Sequence, residues 1–69
     1  MDLVTVFGRN VRRLRVERGL SQEELAHEAD MKRSYLSDIE RGTRNPTIRA
    51  LERLAQALNV PPAELVTRR

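Results

Sequence analysis

The sequence has no cysteine and no tryptophan, and only one phenylalanine, one tyrosine and one histidine. Without a thiol there is no disulfide framework, no thiolate metal site and no cysteine nucleophile, a composition that suits a reducing compartment. His27 alone cannot gather a metal cluster, so no metal is expected. Long apolar runs are missing too. The stretch from Met1 to Gly8 opens on an acid and is far too short for a signal peptide or a membrane span. A soluble, cytoplasmic protein with no membrane partner is expected. The 69 residues are read as one domain spanning 1–69, and a chain of this size buries only about 60 % of the surface its unfolded form exposes. A deep pocket for a large cofactor is not expected, and a second copy or another partner is a natural supplement to so small a core.

Charge is plentiful. Lys and Arg number 13 against 10 Asp and Glu, a net charge of +3, with an isoelectric point near 10.6. That balance invites nucleic acid, and position tells more than the sum. Arg9, Arg12, Arg13, Arg15 and Arg18 crowd the first segment. Lys32 and Arg33 stand in the middle, Arg41 and Arg44 flank Gly42, and Glu23, Glu24 and Glu28 lie together.

The apolar spacing is helical throughout. At about 100° per residue, Leu3, Val4, Phe7, Val11 and Leu14 form one stripe, which predicts a first helix over about 4–18 with Gly19 as its left-handed terminator. Ser21 and Glu24 read as a capping box opening a second helix to about 28, with Leu25, Ala26 and Ala29 inward. Asp30 and Met31 make a turn to a third helix, about 33–41, that puts Leu36 and Ile39 inward and ends at Gly42. Asn45-Pro46-Thr47 stops and restarts the chain, with Thr47 as the next cap. A fourth helix then carries Ile48, Leu51, Leu54, Ala55 and Leu58 on one face, and Asn59 ends it. Pro61 to Val66 allows one last helical turn. The expected fold is all-α, with Phe7, Val11, Leu14, Leu25, Leu36, Ile39, Leu51, Leu54 and Leu58 in one core. Val60, Leu65 and Val66 have no obvious place in it and are assigned to a symmetric dimer interface.

The third helix separates into two sides. Leu36 and Ile39, with Tyr35 and Glu40 at the edges, share one; Arg33, Ser34, Ser37, Asp38 and Arg41 share the other. A short capped helix, a tight turn and a second short helix over about 21–41 make a helix-turn-helix pattern, whose second helix lies in the DNA major groove. There Arg grips guanine, Ser donates or accepts, and Asp accepts from cytosine.

The runs Leu14 to Ala26, Tyr35 to Gly42, Asn45-Pro46-Thr47 and Leu51 to Leu58 resemble the phage repressor and Cro type of helix-turn-helix proteins. Within that family, the short chain, Arg33-Ser34-Tyr35 and Arg44-Asn45 look most like the controller proteins of restriction-modification systems. The resemblance spans about residues 6–66. It implies a five-helix, lambda-repressor-like domain acting as a homodimeric transcriptional regulator on a near-palindromic operator in double-stranded DNA. It also implies roles for single residues. Gln22 is similar to the family glutamine that contacts phosphate and braces the recognition helix, a place where helix N–H groups favour an anion. Lys32, Arg33, Ser34, Tyr35 and Asp38 occupy DNA-facing positions, and Arg44 and Thr47 complete the DNA-binding set from the following loop. Arg15 and Glu40 match a pair that orients the recognition helix without touching DNA.

Lys32 departs from the family pattern, because it stands where Ser or Thr often caps the helix and cannot accept from its N–H groups. Arg9, Arg12, Arg13 and His27 are read as solvated. Catalysis is not expected: Ser21, Ser34 and Ser37 have only His27 as a conceivable base, and no glycine-rich phosphate loop occurs. The remaining rival is an antitoxin or other protein-interaction module on the same fold.

Overall fold

A computed structural model describes all of residues 1–69. Five helices follow one another: α1 (Leu3–Glu17), α2 (Gln22–Glu28), α3 (Arg33–Arg41), α4 (Ile48–Leu58) and α5 (Pro62–Val66). Their starts follow local chemistry. The Asp2 carboxylate accepts from the Thr5 N–H at 2.9 Å, which holds its carboxyl below the usual aspartate range. Ser21 and Glu24 form the reciprocal capping box at 3.0 and 2.8 Å, and the Thr47 hydroxyl accepts from the Ala50 N–H at 3.0 Å. α3 opens on Lys32 and α5 on Pro61, neither of which can cap a helix, and no side chain closes either end.

The first four helices end alike. Gly19, Asp30, Gly42 and Asn59 each adopt a left-handed conformation. The next residue then donates its N–H back across the last turn: Leu20 to Arg15, Met31 to Ala26, Thr43 to Asp38 and Val60 to Ala55, at 2.9–3.1 Å. This is the Schellman closure, in which the residue after the left-handed position commonly packs against its own helix. Leu20, Met31 and Val60 do so, lying half-buried on the core. Val60 is thereby taken up by the fold.

The core joins all five helices through Phe7, Val11, Leu25, Ala26, Ala29, Leu36, Ile39, Leu54, Ala55, Leu58 and Leu65. Leu14 and Leu51, expected inside, are half-buried against it. Two expectations are corrected. Leu65 belongs to the core of the single chain and is fully buried, so it is not available to a dimer interface. Ile48, expected on the inward face of α4, is 81 % exposed. It begins α4 immediately after the Pro46-Thr47 restart, at the rim of a groove between that turn and Leu3 of α1.

A helix of five residues has no stability of its own, and Asn10 supplies what α5 lacks. Buried on α1, Asn10 donates from Nδ2 to the carbonyls of Leu65 at 3.0 Å and Thr67 at 2.9 Å. The last helix is therefore pinned to the first by Asn10 on one side and by burial of Leu65 on the other.

Candidate nucleic-acid interface

α2 and α3 form the helix-turn-helix; Leu36 buries the middle of α3 in the core, and the C-terminal end is tied down further. At its C-terminal end Gly8 allows α1 to lie directly on the backbone, because a Cβ at that position would run into the carbonyl of Ile39. Beside this contact Arg15 forks onto Glu40, Nε to Oε2 at 2.7 Å and Nη2 to Oε1 at 3.0 Å. Arg15 also gives Nη1 to the Leu20 carbonyl at 2.8 Å. Gln22 donates from Nε2 to the same Glu40 Oε1 at 3.0 Å. The two charged side chains are only 12 % and 3 % exposed, so water screens this fork weakly. It ties α1, α2 and α3 together at one point. Gln22 thus braces the recognition helix from the first turn of α2.

The first residues of α3 carry no such tie. Lys32, Arg33 and Ser34 are exposed. These are the residues that a helix entering the major groove presents to base edges and to the flanking phosphates.

The remaining DNA-facing candidates gather around the loop after α3. Tyr35 is half-buried against the core. Its hydroxyl accepts from the Thr47 N–H at a long 3.4 Å, and its ring lies 5.2 Å from the Arg44 guanidinium, within cation–π range. Asp38 holds Arg41 through Oδ1, and its Oδ2 lies 3.5 Å from Arg44. Asp38 therefore stands between two cations of its own chain, whereas the sequence suggested a carboxylate free for a base. Thr47 has its hydroxyl committed to the cap of α4.

Arg9, Arg12 and His27 are exposed, and Arg13 pairs with Glu17 one turn on, at 3.3 Å. No helix is long and apolar enough to cross a membrane. Gly8 and Asn10 were missed by reasoning from the sequence. One signal for Gly8 was present, since a glycine inside a helix costs about 1 kcal/mol relative to alanine and calls for a packing reason.

Residues 11–65 match the helix-turn-helix family. The uncharacterized HTH-type transcriptional regulator y4dJ of Sinorhizobium fredii is 51 % identical over 67 residues, which is 97 % of this chain and 87 % of that one. The crystal structure of the restriction-modification controller protein C.AhdI from Aeromonas hydrophila superposes with a TM-score of 0.87 at 44 % identity, covering 90 % of this chain and 94 % of the other. The controller protein C.Esp1396I, as a tetramer in complex with its natural 35 base-pair operator, gives a TM-score of 0.85 at 34 % identity over 94 % and 86 % of the two chains. With the geometry of α2 and α3, these matches place the chain in the helix-turn-helix family, in its phage-repressor type, whose members are DNA-binding transcriptional regulators.

Proposed function

We propose that this chain is a homodimeric transcriptional regulator that binds a near-palindromic operator in double-stranded DNA, in the manner of the restriction-modification controllers it resembles. It works where that DNA is, in the cytoplasm, without catalysis or a cofactor. The observation that carries the reading is the exposed Lys32-Arg33-Ser34 end of a recognition helix whose other end is fixed to α1 and α2. Such an element holds a rigid direction while leaving its reading residues without structural duties. The operator complex of C.Esp1396I supports the same assignment.

Arg33 is assigned to a guanine edge, where its fork matches O6 and N7. Lys32 is assigned to phosphate, and Gln22, at the start of α2, keeps a phosphate within reach while bracing Glu40. Replacing Arg33 with alanine should lose about 1–3 kcal/mol on the best duplex selected from a random pool and relax preference at one base pair per half-site. Lys32→Ala should weaken selected and scrambled duplexes alike, and make the salt dependence shallower by about one unit per subunit. If Arg33→Ala weakens every sequence equally, the base-reading role passes to Ser34.

The dimer face follows from the corrected burial. With Leu65 inside and Val60 packed on the core, the exposed large apolar side chains are Met1, Leu3, Val16 and Ile48, and of these Leu3 at 46 % and Ile48 at 81 % line one groove. Half-buried Val66 continues this surface along the groove that Leu3 and Ile48 line. Isologous packing of that face covers it and sets two recognition helices about 34 Å apart, one turn of DNA. Ile48→Asp is expected to give a folded monomer in sedimentation that binds the selected duplex poorly. A stable dimer of that variant would move the interface elsewhere.

A further inference from the structure

We infer that Asp38 is a specificity-determining residue that acts by restraint, holding Arg41 and Arg44 in fixed positions so that they cannot adapt to the phosphates of any sequence. The inference rests on the reading of α3 as the DNA-binding helix. On α3 and the loop to Thr47 there are two acids, Asp38 and Glu40. Glu40 is 3 % exposed and committed to Arg15 and Gln22. Asp38 is thus the carboxylate of this segment left to hold Arg41 and Arg44.

Its geometry is that of a clamp. Oδ1 holds Arg41, Oδ2 lies 3.5 Å from Arg44, and the Asp38 carbonyl takes the Thr43 N–H at 3.0 Å and the Thr43 hydroxyl at 3.2 Å. Arg44 meets the Tyr35 ring on another side. An unrestrained arginine on a loop adapts to any array of phosphates, and this sequence-independent attraction dominates non-specific binding. A restrained one is satisfied only where a duplex presents its phosphate in the right register. Asp38 therefore shifts binding from adaptable to positional contacts, without touching a base.

An exposed ion pair is worth about 1.5- to 5-fold in an equilibrium, and a dimer carries the clamp twice. Asp38→Asn is therefore expected to tighten binding to a scrambled duplex by about 2- to 25-fold. It should also steepen the salt dependence on that duplex by about one unit per subunit. Affinity for the duplex that the unaltered protein selects from a random pool should change less, so the ratio between the two falls. In an Arg44→Gln background the effect of Asp38→Asn on scrambled DNA should shrink by half or more. Asp38→Ser gives a second, independent removal of the carboxylate, and melting curves identify a variant that fails to fold. A loss confined to the selected duplex would make Asp38 a base reader and overturn the inference, as would equal tightening on both duplexes or no change on scrambled DNA. If the unaltered protein selects a site while Asp38→Asn matches it on scrambled DNA, the restraint inference alone falls. If the unaltered protein retains no duplex, the DNA-binding reading falls with it.

Discussion

Glu40→Ala and Arg15→Ala are each expected to destabilise the fold by about 3–5 kcal/mol, while the double variant loses clearly less than the sum. Each single change strands part of the fork. Without Arg15, Glu40, which is 3 % exposed in the intact fork, keeps only the Gln22 amide as a partner; without Glu40, Arg15, 12 % exposed in the intact fork, keeps only the Leu20 carbonyl. Removing both leaves no unpaired charge, although a small void and the unbraced Gln22 remain. A domain of this length is held by roughly 3–10 kcal/mol in all, so either single variant should be partly unfolded at ordinary temperature. Chemical denaturation of the four proteins completes the cycle, and additive losses would show that the two charges do not act together. Affinity for DNA should fall in step with the loss of stability, because the pair orients α3 from its far end.

Gly8→Ala should lower the melting temperature by roughly 10–20 °C, corresponding to about 2–3 kcal/mol in a domain of this size. On helix propensity alone the same change would stabilise α1 by about 1 kcal/mol, so the two accounts predict opposite signs. The new methyl group meets the Ile39 carbonyl, and backbone yields less readily than a side chain. α1 and α3 must move apart, which shifts the recognition helix as well as loosening the core. A variant that melts at or above the parent temperature would show that the helices do not approach this closely.

These two sites differ in how legible they were. Arg15 and Glu40 each sit at the boundary of an apolar stripe, so a helical wheel places them near the core edge, and the family resemblance supplies the pairing. Gly8 shows only that a glycine inside a helix calls for a reason, because the need for a missing side chain is created by another helix 31 residues away. The same division runs through the fold. Ser21 with Glu24, Thr47, Gly19, Gly42 and Asn59 act within one helical turn, and each occupies the place its local chemistry suggests. Asn10 and Leu65 answer to partners across the chain, and an apolar count cannot say whether Leu65 or Ile48 is the one left outside. Asp38 shows a third kind of limit. Its position on the outer side of α3 was plain, but which cations reach it depends on how the loop to Thr47 folds back.

The uneven anchoring of α3 bears on how such regulators diverge. What fixes the helix in space lies from its middle to its end, at Leu36, Ile39, Glu40 and Gly42, while Lys32, Arg33 and Ser34 project outward at its start. A substitution among these three disturbs no packed side chain, so a duplicated copy can drift to a new operator in single steps without passing through an unfolded intermediate. Two descendants of one gene can in this way cease to recognise each other's control sites while keeping the same scaffold.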